Sequence, residues 1–151
     1  MGLVIMEDIN GVIVEPLEQI PDERGMVKKF LTSEQLEHFG ECYVTTVYDG
    51  IIKGWHGYFT KTMHYIVPLG LVKLVLWDGR NRSSTYGSIM ELYVGEQKYS
   101  RITIPPGVMN SFKGIAKPMS LVVVAADEIF SEDRTIRFPI GTDAIPYDWN
   151  K

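Results

Sequence analysis

From Cys42 to Asp127 the chain is a succession of short runs rich in Val, Ile, Leu and Tyr, each stopped by Gly, Pro or Asp: CYVTTVYDG, GIIKGWHGYF, MHYIVPLG, LVKLVLWDG, IMELYVG, SRITIPPG and SLVVVAAD. Runs of this length and composition are strands. Strands so closely spaced bury their apolar side chains by packing sheet on sheet, which predicts an all-β antiparallel sandwich or barrel. The opening VIMEDINGVIVEPLEQI adds more β-branched residues and an Asn10-Gly11 turn signal. One short helix is expected from Ser33 to Phe39, with Ser33 as cap, Glu34 in the first turn and Gly40 at the stop position. The final RFPIGTDAIPYDWNK holds two prolines and little alternation, and reads as an irregular tail. There is no internal repeat, low-complexity linker or composition break, so 1–151 is expected to be a single domain.

Charge and cysteine usage narrow the function classes. The formal net charge is −4 and the cations are scattered, apart from Lys28-Lys29 and the Arg80/Arg82 pair, which argues against a nucleic-acid surface. A diphosphate needs only two or three such cations. Cys42 is the one cysteine, so neither an intrachain disulfide nor a paired-cysteine zinc site can form; it is expected to be a small buried residue. No apolar run approaches the roughly 18 residues of a membrane span, and no basic segment precedes a long apolar one at the N-terminus. The expected location is the cytoplasm, with no membrane contact.

Two blocks concentrate polar chemistry, Gly50–His56 (GIIKGWH) and Ile104–Ile115 (IPPGVMNSFKGI). A transition-metal site in a small barrel needs two close histidines, a carboxylate and a later histidine. Here the residue two after His56 is Tyr58, His64 lies eight positions on, and the Pro-Pro-Gly turn ends in Asn110. No metal and no cofactor are therefore expected. No serine sits in a nucleophile elbow and there is no glycine-rich phosphate loop. Proton transfer remains: abstraction next to a carbonyl needs a base and a cation to hold the developing enolate oxygen. His56 is the candidate base, and Lys53 or Lys61 the electrostatic partner.

These blocks resemble the dTDP-4-dehydrorhamnose 3,5-epimerase family of cupins, on IPDERG (Ile20 to Gly25), GIIKGWH, LVKLVLWDGRNRSSTYG (Leu71 to Gly87), IPPGVMNSFKGI and IPYDW (Ile145 to Trp149), in the family's order and over nearly the whole chain. The resemblance implies a double-stranded β-helix (a jelly-roll barrel) forming a homodimer, with N-terminal strands paired to the partner subunit. It implies a nucleotide-diphosphate sugar as ligand, His56 as base, and Lys53 and Arg24 as phosphate contacts. Lys61, Asn110 and Tyr58 complete the set of expected substrate-binding residues.

Three departures stand out. Asn110 occupies the place of the family's turn histidine. The family's catalytic tyrosine, counted without gaps from Phe112, falls on Val123. The family's long C-terminal extension, source of a carboxylate partner for the histidine, is missing. Inverting a carbon requires removing a proton from one face and returning one to the other, so a replacement hydroxyl is sought among Tyr43, Tyr48, Tyr58 and Tyr65. The functions implied are an epimerase or isomerase of a nucleotide-linked 4-keto-6-deoxy sugar, a catalytically reduced sugar-nucleotide-binding cupin, or a sugar 3,4-ketoisomerase.

Overall fold

The structure, a computed structural model, describes residues 5, 6 and 8–150. Thirteen strands are present among them: β1 (Ile5–Met6), β2 (Ile13–Pro16), β3 (Gln19–Asp22), β4 (Gly25–Lys28), β5 (Glu41–Tyr48), β6 (Ile52–Tyr58), β7 (Met63–Leu69), β8 (Leu71–Asp78), β9 (Ser88–Gly95), β10 (Ser100–Ile104), β11 (Val108–Gly114), β12 (Met119–Ala126) and β13 (Thr135–Arg137). One sheet runs β1-β9-β8-β11-β6-β13, the other β2-β10-β7-β12-β5, and β3-β4 form a separate hairpin. All pairings are antiparallel except β1 with β9. From β9 to β13 the chain changes sheet at every connection, the winding of a double-stranded β-helix. The all-β barrel expected from the broken strand runs is therefore what forms, and β11 is a further strand inside the Ile104–Ile115 block.

Alternation decides what each face buries. On β8, Val72, Leu74 and Leu76 point into the space between the sheets, where they meet Val47, Val67, Ile102 and Val122. Val75 points the other way and joins Trp55, Ile89 and Met109 on the outer face of the six-stranded sheet. The C-terminal tail covers that face with Ile145, Phe138, Tyr147 and Trp149. Burial on both faces explains why LVKLVLW carries apolar residues with little polar alternation. The tail is irregular, as expected, but packed: Tyr147 meets Trp55 edge-on at 6.3 Å and its hydroxyl donates to Glu91 at 2.7 Å.

The expected helix from Ser33 to Phe39 does not form; the segment is a turn, and the only helical piece among the described residues is the 3₁₀ turn Glu132–Arg134. Thr32 rather than Ser33 acts as the cap, its hydroxyl accepting from the Glu34 N–H at 3.2 Å while its own N–H donates to Gln35 Oε1 at 2.8 Å. A single closed turn has paid helix nucleation without the length to propagate it. Gly40 is needed for a different reason: a Cβ there would lie 2.3 Å from the Glu128 backbone, so glycine lets the chain press against the end of β12. Cys42 is exposed, not buried. It lies on β5, an edge strand whose odd-numbered residues face inward, leaving Cys42 and Val44 on the outside.

Candidate active site

At one end of the barrel the sheets part around an open cavity of about 440 Å³. Its floor is apolar, made by Phe112 and Val124 with Tyr65. Its walls are polar because two strands, one from each facing sheet, turn polar side chains inward: Glu41, Tyr43 and Thr45 from β5, and Lys53, His56 and Tyr58 from β6. Lys61, in the β6–β7 loop, and Phe130 and Arg137, from the segment after β12, close the rim.

Strand geometry alone would not put Lys53 and His56 on one face, because they are an odd number of residues apart. A β-bulge does so. Opposite β11, Asn110 pairs with His56 and Ser111 with Gly54, which leaves Trp55 as the extra residue. Gly54 makes this possible, with φ at +132° and its Cα so close to β11 that a Cβ would meet Ser111 at 2.8 Å. The Ser111 hydroxyl donates to the Lys53 carbonyl at 2.9 Å and fixes the bulge from the other strand. Trp55 is thrown to the outer face, where it is 1% exposed under the C-terminal tail. His56 and Tyr58, two residues apart, then share the cavity face.

The groups within the cavity are held. Lys53 Nζ donates to Thr45 Oγ1 at 3.0 Å. Lys61, with 5% of its side chain exposed, lies 3.5 Å from Glu41 Oε1 and 4.6 Å from the centroid of the Tyr58 ring. Its loop is fastened by the Thr62 N–H to Asp127 at 2.9 Å and by the Thr60 hydroxyl to Glu128 at 2.9 Å. The Tyr43 and Tyr58 hydroxyls interact, so the two bridge the facing sheets. Burial raises both phenols above their ordinary value and keeps them protonated at neutral pH.

β13 supplies a feature that no sequence motif announced. It pairs with β6 so that Arg137 lies directly opposite His56 and Thr135 opposite Tyr58. Residues opposed across an antiparallel ladder project to the same side, which brings Arg137 to the cavity. The ladder continues through Trp55 and Phe138, which exchange backbone hydrogen bonds of 3.0 and 3.2 Å. Arg137 makes a two-pronged pair with Glu132, at 3.1 and 3.2 Å. Burial lowers the pKa of His56 first, and the cations Arg137 and Lys53 lower it further; Glu132 opposes them. The imidazole is therefore neutral at neutral pH, the form that accepts a proton.

Of the residues anticipated from sequence, Lys53, His56, Tyr58 and Lys61 converge on this cavity. Asn110 does not line it. The side chain is 1% exposed, with Nδ2 donating to the His56 carbonyl at 3.1 Å and Oδ1 accepting from the Tyr65 hydroxyl at 2.9 Å, so both ends are occupied. Arg24 is also elsewhere, 83% exposed at the tip of the β3–β4 hairpin and paired with Asp22 at 2.8 Å. Val123 faces the outer side of the five-stranded sheet with Ile66 and Tyr99; Val124 is its cavity-facing neighbour. Arg80 is committed to Asp78 at 2.9 Å and to the Asn10 carbonyl. His64 is buried against the Thr103 hydroxyl at 3.0 Å. Among the described residues no three His, Cys, Asp or Glu side chains gather as a metal ligand set, and no helix is long and apolar enough to cross a membrane.

A jelly-roll barrel holding a neutral histidine among three cations and a pair of tyrosines defines a class of site whose groups suit an anionic ligand and proton transfer. The family is specific. The sequence model for dTDP-4-dehydrorhamnose 3,5-epimerase matches residues 6–151, and the chain belongs to that family. Epimerisation of a nucleotide-linked 4-keto-6-deoxy sugar, the function implied by the sequence motifs, is the activity for which the family is named. The chain is 31% identical to a dTDP sugar isomerase from Desulfovibrio desulfuricans G20, whose structure superposes with a TM-score of 0.90 over 94% of this chain and 92% of that one. It is 27% identical to the spore coat polysaccharide biosynthesis protein SpsL of Bacillus subtilis, over 94% of this chain and 97% of that protein. It is 28% identical to the probable low-salt glycan biosynthesis epimerase Agl13 of Haloferax volcanii, over 96% and 97%.

Proposed function

We propose that this chain, folded as a single cupin domain, is an epimerase or isomerase acting on a nucleotide-linked 4-keto-6-deoxy sugar, with His56 as the base. The observation that carries the reading is the bulge at Gly54, which sets Lys53 and His56 side by side in the cavity with Lys61 and Arg137 at its rim. A neutral imidazole takes the proton next to the carbonyl. A lysine ammonium balances the charge that develops on the carbonyl oxygen, and the remaining cations meet the diphosphate. Proteins similar to this one are named for dTDP sugars and for glycan biosynthesis, which supports a nucleotide sugar as the ligand.

The assembly we propose is a homodimer. All four residues of β2, at an edge of the five-stranded sheet, are exposed, as is most of the β3–β4 hairpin. Val44, 57% exposed, lies on the outer face at the opposite edge. Pairing of two copies covers these apolar side chains and the open edge. It also gives Arg24, remote from the cavity of its own chain, a route to the partner's.

The test is incubation with dTDP-, GDP- and CDP-linked 4-keto sugars in deuterated water, read by NMR. The expected result is deuterium entering the carbon next to the carbonyl of one substrate, with His56→Asn lowering the rate about 100- to 10,000-fold while dTDP affinity stays within a few-fold. Binding without exchange by the wild type would instead make the chain a sugar-nucleotide-binding protein. A product whose carbonyl has moved would make it an isomerase.

A further inference from the structure

With Val124 at the cavity and Val123 behind it, β12 brings no hydroxyl to the site. A second proton-transfer group must come from another wall. Of the four tyrosines that sequence left open, Tyr48 is 67% exposed on the outer side of β5. The Tyr65 proton is already given to Asn110 at 2.9 Å, in a buried bond. Tyr43 and Tyr58 remain, and both line the cavity.

Resting on the reading above, we propose that Tyr58, backed by Tyr43, is the acid that delivers a proton to the substrate carbon on the face turned away from His56. Three observations fit this role. Tyr58 stands two residues beyond His56 on one face of β6, about 6–7 Å along the strand, and both side chains line the cavity. Tyr43 stands beside Tyr58 in the cavity wall, and the two hydroxyls interact. The Lys61 ammonium, 4.6 Å from the ring centroid, stabilises the phenolate left behind.

The step balances. His56 takes the proton as the C–H bond breaks, and its electron pair forms the enolate. The enolate carbon then takes the Tyr58 proton from the other face, the carbonyl re-forms, and configuration is inverted. The imidazolium loses its proton to solvent and the phenolate regains one, so no co-reactant is needed.

The experiment is Tyr58→Phe, which removes a single oxygen, assayed in deuterated water for two readouts: hydrogen exchange at the substrate carbon and formation of the epimer. The proposal predicts a split. His56 still removes the proton and returns one from the same face, so exchange persists within about tenfold while epimer formation falls about 100- to 10,000-fold. Tyr43→Phe should slow epimerisation less than Tyr58→Phe and spare exchange, and Tyr48→Phe should change neither. A circular dichroism melt and dTDP binding confirm that each variant is folded. Wild-type epimerisation by Tyr58→Phe overturns the proposal and leaves His56 as base intact. Equal loss of exchange and epimer in a folded variant also overturns it. A wild type that exchanges no substrate hydrogen refutes the underlying function, and the proposal with it.

Discussion

The bulge at Gly54 can be tested by adding one methyl group. Gly54→Ala forces a Cβ onto a residue with φ at +132°, a conformation open to glycine and hardly to others, which costs about 1–3 kcal/mol. The methyl would also lie 2.8 Å from Cα, Cβ and Oγ of Ser111, and because Cα belongs to the β11 backbone no rotamer change relieves it. Overpacking of this kind costs a further ~1–3 kcal/mol. The midpoint of the sum, ~4 kcal/mol, corresponds to a fall in Tm of roughly 8–16 °C for a chain of this size. Gly50→Ala is the matched control. Its φ is +80° but nothing lies within 4 Å of the added Cβ, so only the backbone term of ~1–2 kcal/mol applies. Calorimetric melts of wild type and both variants give the ordering. Solvent exchange, measured where all three are folded, reports on the site, because displacing Ser111 releases the Lys53 carbonyl it holds at 2.9 Å. Gly54→Ala should melt well below Gly50→Ala and lose far more exchange activity. Equal melting temperatures, or wild-type exchange by folded Gly54→Ala, would refute the account of how β6 presents Lys53 and His56 together.

Two further expectations follow from the rim and the edges. Since burial, Arg137 and Lys53 hold His56 below its ordinary value of 6.5, the acid limb of kcat/KM should lie below that pH. Arg137→Met removes a cation and leaves Glu132 unpaired; both changes favour imidazolium, so the limb should move to higher pH, and a limb that stays or moves down would contradict the geometry. Sedimentation at micromolar concentration should show a dimer; a monomer would mean that the exposed β2 edge is tolerated without a partner copy.

What sequence made legible follows from the range of the interactions involved. The strands from β5 to β10 and β12 were visible because each is a contiguous run of β-branched and apolar residues ended by a local breaker. Lys53, His56 and Tyr58 were visible because they sit within a single strand. The Ser33–Phe39 helix failed because its signals, a cap, an acid and a terminal glycine, are equally those of one capped turn, and Gly40 answers a clash with Glu128 that is distant in sequence. Counting to Val123 missed the cavity by one residue, and in a strand one residue is the opposite face. Arg137 was hidden most completely. Its place beside His56 depends on the β13–β6 register, set by the burial of a tail whose sequence shows little alternation.

The departures from the family pattern are physically connected. An amide at Asn110 can donate to the β6 carbonyl and accept from Tyr65 at once, and so works as a strut between β6, β11 and β7 rather than as a ligand contact. That strut draws the Tyr65 hydroxyl into the core and removes it from the cavity chemistry. The inward positions of β12 are filled by Val122 and Val124, which suit the apolar floor. Polar function is left to inward positions that the core does not claim, Glu41, Tyr43 and Thr45 on β5, and Lys53, His56 and Tyr58 on β6. A carboxylate reaches the neighbourhood of His56 from the 3₁₀ turn before β13, where Glu132 engages Arg137. The site thus keeps the histidine of the family motif and surrounds it with groups drawn from nearby strands, which is why substitutions at Tyr58 and Arg137, rather than at Asn110 or Val123, discriminate between ways it can work.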